Sequence, residues 1–195
     1  MSQYTELQLD ALRELANIGS GTASTALSGM LGRSIDISVP NAQALPFADA
    51  VEAIGDAEAE MTGIVLGING DMGGTVLLLV KPEDADGICR MLGLEPGDEY
   101  ALSALGEVGN IVGASYINAL GSMTGMELEP TPPGTATDML GAIVASVLAG
   151  AALTGDIALL LDSNLVVEGE DCSISFLLVP DQGGVDDLLS RLGLG

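Results

Sequence analysis

Asp10-Ala11-Leu12-Arg13-Glu14-Leu15-Ala16-Asn17-Ile18-Gly19 and Ser103-Ala104-Leu105-Gly106-Glu107-Val108-Gly109-Asn110-Ile111-Val112 decide the fold, because the second repeats the first ninety-three positions later. Asp10, Glu14 and Asn17 map onto Ser103, Glu107 and Asn110, and Pro40 maps onto Pro133 without a gap. Ile18, Ala26, Leu27, Met30 and Gly32 likewise return as Ile111, Ala119, Leu120, Met123 and Gly125. A lone Glu-x-x-Asn carries nothing. Two copies with the same distant proline describe a duplicated unit, so we read one domain of two repeats, about 1–97 and 98–195.

Working outward, Thr5-x-x-Gln8 forms a capping box. Apolar and small residues then recur at helical spacing to Gly29 or Gly32. Asp10, Glu14 and Asn17 lie at i, i+4 and i+7, on one face that is not the Leu12/Leu15 face. Asp98 is expected to cap the second helix, whose apolar side includes Leu102, Leu105, Val108, Ile111 and Val112. Both helices are rich in small residues, which allow close approach, so the halves are expected to meet along these surfaces. Each helix precedes an extended run: Ile35–Val39, stopping at Pro40, and Glu127–Glu129 before a cluster of prolines. Second helices are expected over Pro46–Ile54 and Ala136–Ala149. Strand pairs follow at Met61–Ile68 and Thr75–Val80, then at Asp156–Leu161 and Ser173–Val179. Amphipathic helices close the halves at Glu83–Leu92 and Val185–Leu192. The fold class is therefore α+β: pseudo-twofold α-β-α-β-β-α halves, with an antiparallel sheet and helices packed on it.

Composition narrows the function. The chain of 195 residues has twenty-eight acids, five bases and no histidine, for a net charge of −23. Such a chain repels phosphate backbones and anionic membrane surfaces, so nucleic-acid and membrane partners are not expected. The acids are spread along the chain. Two readings stand: adaptation to high salt, as in a halophilic archaeal source, or a docking surface for a basic partner. Cys89 and Cys172 have no metal spacing and read as core residues of a reduced cytoplasmic protein. The uncharged run Met139–Gly155 reads as a buried helix leading into a strand, and no signal peptide is expected. Without histidine, Ser-His-Asp and Cys-His nucleophilic sites are impossible. The glycine-rich run 67–74 lacks a Gly-Lys-Ser/Thr ending and reads as a hairpin turn.

What remains is glutamate beside asparagine on an exposed helical face. An amide both donates and accepts, so it can hold and aim a water without changing protonation. A glutamine plays a comparable part in GTP hydrolysis. Such a site is incomplete for a stable ester. It is adequate where the substrate is already reactive and another protein brings the metal, as with an aspartyl phosphate on a response regulator. The plainer reading also stands: Glu14 and Glu107 as solvated helix residues, Asn17 and Asn110 as packing residues.

The doubled signature, with Asn-Ile-Gly-Ser-Gly-Thr-Ala at 17–23, Gly-Asn-Ile-Val-Gly-Ala at 109–114 and Asp-Met-Leu-Gly-Ala-Ile at 138–143, closely resembles the CheC-type chemotaxis phosphatases of the CheC/CheX/FliY superfamily. The resemblance covers essentially the whole chain. It implies dephosphorylation of phosphorylated CheY, with Asn17 and Asn110 orienting the attacking water and Glu14 and Glu107 pairing with a regulator lysine. Asp10 and Ser103 differ and count as support. The chain then needs no metal of its own, since magnesium belongs to the regulator. The family also implies a second partner, the receptor deamidase CheD. Asp138 and Met139 are candidates for that surface, because the first half has Leu45 and Pro46 in their place. Non-catalytic binding of CheD or the regulator, or a part in the motor switch, are the alternatives.

Overall fold

The computed structural model describes residues 4–150, 157–167 and 170–195. The chain opens with α1 (Glu6–Leu31). Thr5 starts it with the expected box: its side chain accepts the Gln8 N–H, and Gln8 Oε1 accepts the Thr5 N–H at 2.9 Å. Gly32 ends it at φ 64°, a left-handed conformation that a side chain would disfavour. Then come β1 (Ile35–Pro46), α2 (Phe47–Ile54), β2 (Glu60–Gly70), β3 (Gly74–Val80) and α3 (Pro82–Met91). The second half contributes α4 (Ala101–Thr124), β4 (Leu128–Pro130), β5 (Gly134–Met139), α5 (Leu140–Gly150), β6 (Ile157–Val167), β7 (Glu170–Pro180) and α6 (Gly184–Arg191).

Seven described strands form one antiparallel sheet, ordered β1-β6-β7-β3-β2-β4, with β5 also paired to β2. Its pairing crosses between the halves. β1 runs along β6, from Ile35 opposite Val167 to Pro46 opposite Ile157. β4 and β5 run along β2, ending with Met139 opposite Glu60. At the centre β3 pairs with β7. Thus the extended run after each long helix completes the hairpin of the other half.

Helices cover both faces. One core joins α1, α3, α4 and α6 to the sheet through residues such as Leu27, Ile88, Val112, Leu188, Leu66, Leu78 and Phe176. A smaller core lies under α2 and α5, around Ala50, Leu140, Val144, Leu77 and Leu177. β3 is therefore buried on both sides from Val76 to Val80, which is why it reads as an unbroken apolar run. Cys89 and Cys172 are both buried, with no disulfide between them. Among the described residues no helix is long and apolar enough to cross a membrane.

Four local expectations are corrected. The first extended run does not stop at Pro40. It continues to Pro46 through a register shift between Ser38 and Asn41, and an edge strand with a bulge tolerates the missing N–H. The second short helix begins at Leu140 rather than Ala136. Residues 134–139 instead pair with β2, and Thr137 meets Thr62 hydroxyl to hydroxyl at 2.9 Å. β-branched threonines and a waiting strand edge outweigh the apolar run beyond them. Asp98 does not cap α4. Tyr100 occupies that position, and Asp98 Oδ1 accepts the Tyr100 N–H within the preceding turn. Finally, the helices do pack on each other, but the α4 glycines do not form that contact. A Cβ at Gly109 would sit 2.7 Å from Ile64, and one at Gly113 would sit 2.9 Å from Leu66. Those glycines lower α4 onto the sheet. The start of the expected strand at Asp156 lies outside the described residues.

Candidate functional site

Helical periodicity sorts α1 cleanly. Leu12, Leu15, Ala16, Gly19, Ser20, Ala23 and Leu27 are buried, which turns Asp10, Glu14 and Asn17 outward. Glu14 and Asn17 are one turn apart on that exposed stripe. Asp10 is already engaged: Arg13 Nη2 donates to its Oδ1 at 2.8 Å. This arrangement ties Asp10 to Arg13 and leaves Glu14 and Asn17 facing outward.

The α4 helix presents its set the same way. Leu105, Val108 and Val112 face the core, while Ser103 and Glu107 are exposed and Asn110 is half-buried. Each acid and amide pair is thus offered side by side on a rigid helix whose other face is locked by packing, the preorganisation that a water-orienting group needs. A carboxylate anchors a cation and an amide holds a water. Neither pair contains a hydroxyl, thiol or amine nucleophile.

Apolar side chains border both stripes. Leu7 is 65% exposed, and Tyr100, at the matching position before α4, is 64% exposed. Ile18, beside Asn17, is 41% exposed. Periodicity alone assigns such residues to a core, so sequence reasoning passed over them. Their exposure gives each polar pair an apolar margin suited to a protein partner.

Asp138 and Met139 stand apart from both pairs. Asp138 pairs across β5 with Met61, whose side chain belongs to the core under α2 and α5, so it faces the opposite side of the sheet from α1 and α4. Its Oδ1 accepts the Met139 N–H at 2.8 Å, and Met139 is half-exposed. Beside it runs an apolar groove of about 400 Å³ between β5 and α5, lined by Gly63, Val65, Ala136, Ile143 and Val147 among others. Among the described residues no group of three or more His, Cys, Asp or Glu side chains is placed to hold a metal ion.

The CheC-like family model matches this chain twice, over residues 7–42 and 101–136, the two stretches that carry the polar pairs. Across 198 aligned residues the chain is 31% identical to the CheY-P phosphatase CheC of Bacillus subtilis, covering 96% of this chain and 95% of that protein. This chain belongs to the CheC-like family. Another relative, the flagellar motor switch phosphatase FliY of Bacillus subtilis, is 26% identical over 140 residues, which is 68% of this chain and 36% of that longer protein. Among solved structures, Thermotoga maritima FliY superposes with a TM-score of 0.77 at 19% identity, covering 98% of each chain. That likeness establishes the shared fold and leaves activity to the site.

Proposed function

We propose that this protein hydrolyses the aspartyl phosphate of a phosphorylated CheY-type response regulator, at two sites. The observation that carries the proposal is the outward presentation of Glu14/Asn17 and Glu107/Asn110 at matching positions of two long helices. Support comes from the family and from the relative named as a CheY-P phosphatase. In this reading each helix lays its stripe against the regulator. Glu14 or Glu107 pairs with a regulator lysine. The amide of Asn17 or Asn110 accepts a hydrogen bond from one water and holds its oxygen in line with phosphorus. Water attacks, the bond from phosphorus to the aspartyl oxygen breaks, and aspartate and inorganic phosphate leave. Magnesium belongs to the regulator. The repeats, about 1–97 and 98–195, each contribute one site to a cytoplasmic protein.

Loss of radiolabel from phosphorylated cognate CheY, with magnesium and at high salt, tests the mechanism. Replacing both Asn17 and Asn110 by Ala lowers the rate by about tenfold to a thousandfold, the usual scale for losing an oriented group. Full activity in that double variant refutes it.

A second reading, docking of the deamidase CheD, is favoured by the groove beside Asp138. It lies on the opposite sheet face, leaving both helices clear. The two readings are compatible.

A further inference from the structure

Asn17 and Asn110 occupy matching positions but are held differently. Gly19 sits against Tyr116 of α4: a Cβ there would lie 2.9 Å from Tyr116 Cδ1 and 3.0 Å from its Cα. Tyr116 is buried and wedged on Phe176, with ring centroids 4.4 Å apart. Its hydroxyl meets Ser163 Oγ of β6 at 3.3 Å. On the α1 side, Ser20 is also buried, and its Oγ donates to the Asn17 carbonyl at 2.8 Å. Burial pushes the Tyr116 phenol pKa up, and contacts with the Ser163 and Ser20 hydroxyls draw it partly back. The Tyr116 and Ser163 hydroxyls, from α4 and β6, thus meet beneath the turn whose Ser20 bonds the Asn17 carbonyl. A serine bonded back to a helix carbonyl tilts that carbonyl and bends the turn. Here the carbonyl so bonded is that of Asn17 itself.

At the matching turn of α4 the arrangement differs: buried Ser115 donates to the Ile111 carbonyl at 2.7 Å, not to that of Asn110. Val112 stands where α1 has Gly19, Gly113 where it has Ser20, and Ala23 is the α1 residue matching Tyr116. Asn110 is carried by Gly109 and Gly113 lying directly on Ile64 and Leu66. We propose that Tyr116 is a positioning residue for Asn17 and not for Asn110, so that the two sites differ in turnover and are separately tunable. The inference rests on the phosphatase reading for its kinetic form, and its structural form stands without it.

The test uses full-length chains with one site each, Asn110→Ala or Asn17→Ala, assayed on phosphorylated CheY. Adding Tyr116→Phe to the Asn110→Ala chain lowers kcat by about tenfold with KM within about twofold, as a slightly misplaced group should. Adding it to the Asn17→Ala chain changes kcat by less than about twofold, whereas a general loss of stability moves both chains alike. Ser20→Ala, which removes only the last hydroxyl, follows the same pattern and decides the question if Tyr116→Phe fails to fold. Equal falls in both backgrounds, or none in either, overturn the proposal. Hydrogen exchange supplies a readout without activity: Tyr116→Phe speeds exchange over residues 17–21 and not over 110–114. If the unmutated chain does not dephosphorylate CheY, the phosphatase reading fails, and exchange alone decides whether Tyr116 holds the Asn17 turn.

Discussion

α1 and α4 carry the same acid and amide but rest on different supports. α4 lies on the sheet, lowered by Gly106, Gly109 and Gly113 onto Thr135, Ile64 and Leu66. α1 reaches the sheet through its C-terminal half, where Ser24 and Ser28 accept the Ile37 and Ile35 N–H groups of β1. Its Asn17 segment packs on α4 with Gly19 against Tyr116, and buries Leu12, Leu15 and Ala16 in the shared core. A surface motif can thus recur almost unchanged while the support beneath it diverges. The α4 pair rests on the sheet, and the α1 pair rests in part on α4.

The largest effect expected comes from reversing the acids. Glu14→Lys with Glu107→Lys places like charges against the regulator's lysine and lowers kcat/KM for CheY-P by about a hundredfold. Each single reversal leaves the other site working, so the residual rates compare the helices directly. Unchanged rates in the double reversal break the comparison.

Glycine substitutions measure the supports as stability. Ala in a helix is favoured over Gly by about 1 kcal/mol, and overpacking a core costs about 1–3 kcal/mol. At Gly19 the new methyl meets tyrosine backbone, so Gly19→Ala should destabilise by about 1–2 kcal/mol. At Gly113 it meets the end of the Leu66 side chain, which can shift, so the net change is about zero. Gly21 has nothing within 4 Å, and Gly21→Ala should stabilise by up to about 1 kcal/mol. Urea unfolding of the three variants checks that order. Equal costs at Gly19 and Gly113 refute the difference in support.

A smaller effect tests the other face. Asp138 stands where the first half has Leu45, so Asp138→Lys should weaken CheD binding about fivefold to tenfold in a titration, while CheY-P dephosphorylation stays near normal. Unchanged CheD affinity counts against that surface.

The smallest difference concerns charge. Each half carries fourteen acids, but four of the five bases lie in the first. Raising KCl from about 0.1 M to about 3 M should raise the thermal midpoint through relief of self-repulsion, and should slow exchange more in the second half. A flat profile favours the acids as a docking surface.

Much of this architecture was legible in the sequence. The Thr5/Gln8 box, the Gly32 stop and the outward placing of Glu14 and Asn17 are local, and local chemistry decided them. Residues 136–139 were misread because their strand character depends on β2, far away in sequence. The α4 glycines were assigned to the wrong partner because spacing shows that a helix comes close to something, not to what. Tyr116 was silent for the same reason. The hydroxyls that meet it, Ser20 and Ser163, come from other elements, and no periodicity joins them.

The crossing of strands between halves has a consequence for synthesis. β1 emerges from the ribosome early, yet its partner β6 lies more than a hundred residues downstream. At about 5–20 residues per second, that strand edge waits on the order of ten seconds before it can be covered. Neither half can close its own sheet meanwhile, so the nascent chain depends on its charge to stay apart from its neighbours. Only four acids and two bases precede the end of β1, and the acid excess grows as synthesis proceeds, so repulsion between chains builds while the edge is bare.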